Sequence, residues 1–143
     1  MKTVAQLMAT NERQVWSIGP DASVYEALVL MAEKQIGALL VIDDTGMVGL
    51  ISERDYARSV ILRGRTSKDT RVSEVMTRRV VCTRPDHTLE EAMALMTEKR
   101  VRHLPVIAED KVVGLISIGD LIKSIISEHK FIIEQLEHYI SSG

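Results

Sequence analysis

The chain writes one segment twice. Val48-Gly49-Leu50-Ile51-Ser52-Glu53-Arg54-Asp55 returns as Val113-Gly114-Leu115-Ile116-Ser117-Ile118-Gly119-Asp120, an offset of 65. At that offset, without gaps, Pro20 to Arg58 lies over Pro85 to Lys123, with identities at Pro20/Pro85, Glu26/Glu91, Ala27/Ala92, Met31/Met96, Leu39/Leu104, Val41/Val106 and Ile42/Ile107. A register this long does not arise from composition, so the chain is an internal duplication. Each copy reads as strand, helix, strand, strand, helix. In a chain of 143 residues neither copy has the mass to bury a sheet alone. The expected fold class is therefore α/β of the α+β kind, two repeats packed sheet to sheet about a pseudo-twofold axis, with two equivalent clefts where they meet.

The local signals agree with that plan. Ser23-Val24-Tyr25-Glu26 and Thr88-Leu89-Glu90-Glu91 are capping boxes, each opening a helix of about a dozen residues. The first of these helices is apolar almost all round, so either it is sandwiched in the fold or its outer face meets another subunit. Leu39 to Ile42 and Met47 to Ile51 form a hairpin across Asp43-Asp44-Thr45-Gly46. Val4 to Met8 has an echo in Val72-Ser73-Glu74-Val75-Met76, which marks where each copy begins. Arg63 to Arg71 is polar and unpatterned, the natural connection. From Ile118 an apolar face runs unbroken to about Ile140, predicting a helix longer than one repeat needs. Its distal part either packs across a partner subunit or wraps its own domain. The domains are read as residues 1–65, 66–127 and a helical extension over 128–143.

Composition narrows the function. With 45% hydrophobic and only 3% aromatic residues the core is aliphatic, and a net charge of -2 argues against a nucleic-acid surface. The single Cys82 cannot form an internal disulfide. No run reaches the roughly 20 apolar residues of a membrane span, and Met1 to Leu7 lacks a signal-peptide core. A cytoplasmic protein is expected. His87, His129 and His138 show no metal-ligand spacing, so no metal is required. Neither a Walker loop nor a Gly-x-Gly-x-x-Gly fingerprint is present, and no nucleophile-base pair stands out, so the chain does not read as an enzyme.

The repeated Ser-x-x-Asp sits where a strand hands over to a helix, so its serine oxygen caps backbone N–H groups that also suit a phosphate. Together with the Pro-Asp turn before each helix and His103-Leu104-Pro105-Val106 before the return strand, this arrangement resembles the cystathionine beta-synthase (CBS) domain family. More specifically it resembles a stand-alone tandem pair, the Bateman module, over about residues 4 to 125. The resemblance implies a regulatory unit that binds adenine nucleotides or adenosyl ligands and commonly forms a homodimer, head-to-head or head-to-tail. By that resemblance Ser52 and Ser117 contact phosphate or ribose, and Asp55 and Asp120 take the ribose hydroxyls. A carboxylate accepts two hydrogen bonds from a cis-diol, in keeping with that role. The base-lining residues are Ser17 and Ile18 in one copy, Cys82 and Thr83 in the other. Gly37, Ala38 and Leu39 correspond to Arg102, His103 and Leu104, followed by Pro105, with Arg102 and His103 placed to reach phosphates. Arg54 has no counterpart, because Gly119 takes its place. Two unequal sites follow, Asp120 marking the nucleotide-phosphate site. AMP is the first candidate, with ATP, ADP or NAD as others, and a separate regulated protein is the implied partner. The alternative is a structural oligomerisation module with vestigial clefts.

Overall fold

The computed structural model describes residues 2–10 and 15–142. The elements run α1 (Val4–Thr10), β1 (Ser17–Ile18), α2 (Val24–Lys34), β2 (Ala38–Asp43), β3 (Gly46–Ser52), α3 (Glu53–Tyr56), a π turn (Ala57–Ile61), α4 (Val72–Val75), α5 (Leu89–Lys99), β4 (His103–Ala108), β5 (Lys111–Ser117) and α6 (Ile118–Ser142). No helix among the described residues is long and apolar enough to cross a membrane. By contact the chain divides into two units, Gln14–Val81 and Met1–Arg13 with Cys82–Gly143.

In the Gln14–Val81 unit, β1 pairs parallel with β2 and β2 antiparallel with β3. Ser23 caps α2 by accepting from the Glu26 N–H while the Glu26 carboxylate accepts from the Ser23 N–H, both at 3.1 Å. The helix ends at Gln35 in the left-handed region, φ 55°. Val24, Ala27 and Met31 point into a core with Leu39, Val41, Ile51 and Val60. Its outer side chains Tyr25 and Val29 stay exposed. Burying one such aliphatic side chain stabilises by about 1.5–3 kcal/mol, so the inner stripe alone secures the helix.

The other unit restates this at the same offset. Leu89, Ala92, Met96, Leu104, Val106 and Ile116 are buried where Val24, Ala27, Met31, Leu39, Val41 and Ile51 are buried in the first. Thr88 and Glu91 form the capping box, and Arg100 ends α5 at φ 55°. Even the irregularity in the hairpin recurs, between Val41 and Ile42 and between Val106 and Ile107. One strand does not recur. The expected first strand of the second repeat is reduced to a single parallel bridge, Thr83 to Val106. In the first unit the Leu40 N–H donates to the Trp16 carbonyl at 3.3 Å. Pro105 stands at the position of Leu40 and has no N–H, so the matching bond to Val81 cannot form.

The short leader helices cross over. In α1 the Val4 and Ala5 N–H groups donate to the His87 and Pro85 carbonyls, and Leu89 donates to Lys2, all within one unit. In the other unit, α4 repeats the pattern with Val72 to Ala22, Ser73 to Pro20 and Val24 to Thr70. Each leader thus docks on the repeat that does not follow it. The connection expected over Arg63 to Arg71 is correspondingly well held: Thr70 is buried and donates to the Thr66 carbonyl at 2.7 Å, and Arg65 pairs with Glu74 at 2.8 Å.

Candidate ligand-binding site

Both Ser-x-x-Asp segments are capping boxes. In the Gln14–Val81 unit the Ser52 N–H donates to Asp55 Oδ2 at 2.9 Å and the Asp55 N–H donates to Ser52 Oγ at 3.2 Å. The Ser52 hydroxyl also lies 3.1 Å from Asp55 Oδ2, and the Thr77 hydroxyl donates to Asp55 Oδ1 at 3.4 Å. Both carboxylate oxygens are therefore engaged. Ala38 pairs with Ser52, and the Glu53 N–H donates to the Gly37 carbonyl, which gathers Gly37, Ala38, Ser52 and Asp55 at one end of the sheet. Ser17 and Ile18 lie on the adjacent strand beside Leu40 and Val41. Arg54 is exposed. The Leu39 side chain is in the core, so only its backbone can face a ligand.

The other unit builds the same arrangement from different residues. The Ser117 N–H donates to Asp120 Oδ2 at 3.0 Å and the Asp120 N–H to Ser117 Oγ at 3.1 Å. Asp120 is 7% exposed. His103 pairs with Ser117, and the Arg102 carbonyl accepts from the Ile118 N–H at 2.9 Å, so Arg102, His103, Ser117 and Asp120 share one end of the sheet. Leu104 and Pro105 are buried, the Pro105 carbonyl accepting from the Thr83 N–H. Thr83 is buried too, its hydroxyl 2.9 Å from His87 Nδ1. Cys82 is half-buried, and burial pushes its thiol above the usual range, which disfavours the thiolate.

Two features separate the sites. In the first, α4 ends at Val75, so Thr77 runs beside Leu50 and bonds Asp55, whereas α1 stays helical through the corresponding Ala9. Beside Asp120 lies a cavity of about 370 Å³ lined by Lys2, Leu7, Thr10, Lys123, Ser124 and Ser127. The Ser124 hydroxyl is buried at 7% exposure without a hydrogen-bond partner among the described residues, a polar group whose burial is unfavourable unless something pairs with it. Two ammonium groups, three hydroxyls and one carboxylate suit a polar, anionic ligand. The sequence reading missed these residues. Lys2 and Thr10 reach the cavity only because α1 docks on the second repeat, whereas Lys123, Ser124 and Ser127 follow Asp120 directly on α6.

Burial holds the His103 imidazole below its ordinary value of 6.5, the Asp120 carboxylate pulls it upward, and Arg102 adds to the lowering. Between the lowered value and 6.5 the unfolded chain binds more protons than the folded one, so stability rises with pH through that window and is lost as pH falls below 6.5. Urea denaturation between pH 5 and pH 8 is expected to show this decline in the native chain, and a shallower one in His103→Gln. Equal slopes in the two proteins would remove His103 as its source.

Among the described residues no three His, Cys, Asp or Glu side chains gather as a metal site. The CBS domain family profile matches residues 4–61 and 72–127. A solved CBS-domain protein of Burkholderia ambifaria MC40-6 is 52% identical, covers 88% of this chain and 95% of its own, and superposes with a TM-score of 0.84. The mitochondrial CBS domain-containing protein CBSX3 of Arabidopsis thaliana is 38% identical over 86% of this chain, which spans 62% of that relative's length. The CBS domain pair of protein MJ0100, solved with 5'-methylthioadenosine and S-adenosyl-L-methionine, shares the fold with a TM-score of 0.78 at 20% identity, over 90% of this chain and 98% of its own. The chain belongs to the CBS domain family and is a tandem CBS pair.

Proposed function

We propose that this chain is a non-catalytic sensor that binds an adenosyl ligand and reports its presence to a separate protein. The observation that carries the reading is the second capping box, where Asp120 is oriented by the Ser117 N–H beside His103 and next to the cavity with its unpaired Ser124 hydroxyl. Asp120 takes the ribose hydroxyls, while Arg102 and His103 meet phosphate. Arginine suits phosphate because its planar fork makes paired, charge-assisted bonds. AMP is the first candidate, with ADP, ATP and NAD as others, and adenosyl ligands of the kind bound by the MJ0100 pair belong to the same class. The Asp55 site, with Gly37 and Ala38 where the other has Arg102 and His103, is the weaker of the two.

The reading as a sensor includes a cytoplasmic location, a homodimer and a regulated partner protein. Binding changes the partner surface only to the extent that the ligand prefers one state of the chain. The second reading, a structural module whose ligand sites are vestigial, is favoured by the ordinary capping role that Ser52–Asp55 and Ser117–Asp120 already fill.

A thermal-shift screen of dialysed protein with AMP, ADP, ATP, NAD, S-adenosylmethionine and GTP separates the two. A ligand present at a hundred times its Kd adds about 2.7 kcal/mol of stability, a shift of several degrees for a chain this size. At least one adenosyl compound is expected to give it. No shift with any of them leaves the structural module.

A further inference from the structure

Helix α6 leaves the packing of its own unit halfway along. Leu121 and Ser124 are buried and Ile125 and Glu128 half-buried, but every side chain from His129 to Ile140 is exposed. The exposed stretch is not polar: Ile126, Phe131, Ile132, Ile133, Leu136, Tyr139 and Ile140 are each between 47% and 77% exposed. Their order is regular. Ile122, Ile126, His129, Ile133, Leu136 and Ile140 alternate steps of four and three residues, the a/d spacing of a coiled-coil seam, with Ile126, Ile133 and Ile140 at a and Ile122, His129 and Leu136 at d. Glu134, Gln135 and His138 fall on the opposite face, together with Phe131.

The positions flanking the seam decide what covers it. One flank, position e, carries Lys123, Lys130 and Glu137, and the other, position g, carries Ile125, Ile132 and Tyr139. In a parallel pair each e position faces a g position, which sets Lys130 and Glu137 against isoleucines on both sides. In an antiparallel pair e faces e and g faces g, so charge meets charge along one edge and apolar meets apolar along the other. One antiparallel register opposes Ile133 with Leu136 of a second copy, and it pairs Lys130 with the second copy's Glu137 twice, by symmetry, and Ile132 with Tyr139 twice. Shifting by one heptad toward the helix start opposes Lys130 with its own copy.

We infer that the distal half of α6 is the dimer seam, an antiparallel coiled coil with a second copy of this chain, in the register that sets Ile133 against Leu136 and Lys130 against Glu137. The seam rests on the homodimer reading above and specifies which surface makes it. The apolar edge of Ile132 and Tyr139 broadens the buried strip, and His129, the one polar group in the strip, opposes Ile140 near the seam's end. The matched charges set direction and register, as flanking charges do in coiled coils generally.

Light scattering on the full chain tests the seam. The native protein is expected to run at twice its 16.0 kDa mass. Ile133→Glu with Leu136→Glu is expected to run as a monomer, with an unchanged melting transition in circular dichroism at low concentration, because neither side chain packs in its own unit. Lys130→Glu and Glu137→Lys are each expected to weaken dimerisation about tenfold, and the two together to restore it, since the swap recreates both ion pairs only in this register. A native dimer that survives the double glutamate change overturns the seam and leaves the homodimer standing on another surface. A native monomer at high micromolar concentration overturns both. Failure of the charge swap to restore the dimer overturns the register.

Discussion

Asp120→Asn is expected to weaken adenosyl-ligand binding at least about thirtyfold while leaving the fold intact. The carboxylate is already oriented by the Ser117 N–H at 3.0 Å, and Asn keeps that acceptor, so the cap on α6 survives with a loss of only some tenths of a kcal/mol in its interaction with the helix N-terminus. What Asn cannot do is accept a charge-assisted bond from each of two ribose hydroxyls with the same carboxylate. Hydrogen bonds to charged groups are each worth about 1.5–3 kcal/mol, and loss of about 2 kcal/mol is roughly thirtyfold in Kd. The sign is informative. Were Asp120 facing a phosphate instead, removing its charge would strengthen binding. Asp55→Asn is expected to have a smaller effect, because Gly37 and Ala38 stand beside it where Arg102 and His103 stand beside Asp120, so that site offers a phosphate fewer cationic partners. Ligand titrations of the two variants beside the native chain decide between these outcomes.

Gly49→Ala is expected to destabilise the chain by about 2–3 kcal/mol, and Gly114→Ala, its counterpart at the same offset, by clearly less. A Cβ at Gly49 would stand 2.7 Å from Met76 Sδ and 2.9 Å from the Thr77 carbonyl oxygen. The methionine can swing away, but the carbonyl cannot, since Thr77 and Leu50 exchange two backbone hydrogen bonds at 2.8 and 3.0 Å. Backbone must therefore shift, and with it Thr77 beside Asp55. At Gly114 the Cβ would meet only the Met8 side chain, its sulfur at 2.6 Å, and a flexible thioether repositions at low cost. Chemical denaturation of both variants should rank them in that order. Equal losses would show that Met8 is as fixed as the Thr77 backbone.

The duplication made most of the fold legible. Both capping boxes, both hairpins and the long last helix were readable because they depend on residues close in sequence, and the 65-residue offset carried the capping boxes and hairpins from one copy to the other. What escaped depends on partners far apart in sequence. The shortened first strand of the second repeat turns on Pro105, which lacks the N–H that Leu40 donates, and only the pairing to Trp16 shows that this N–H matters. The polar run from Arg63 to Arg71 read as a free connection, yet Thr70 and Ser67 accept from the first turn of α2. Nothing in the composition marks those carbonyls.

The site divided the same way. Ser52, Asp55, Ser117 and Asp120 were legible because the motif is local and repeated. Lys2, Thr10 and Thr77 were not, because each leader helix docks on the repeat it does not precede, and an echo in sequence does not say where a helix packs. That Thr77 gives Asp55 a hydroxyl partner emerges only from that docking.

Isothermal titration of AMP, ADP, ATP, NAD and S-adenosylmethionine into dialysed native chain, and into Asp120→Asn, tests the central claim most directly. A saturable isotherm is expected for at least one of these ligands in the native protein, its tightest site weakened at least about thirtyfold in the variant. An isotherm unchanged by Asp120→Asn would contradict the assignment of the site, and no binding of any of the five would contradict the sensor itself.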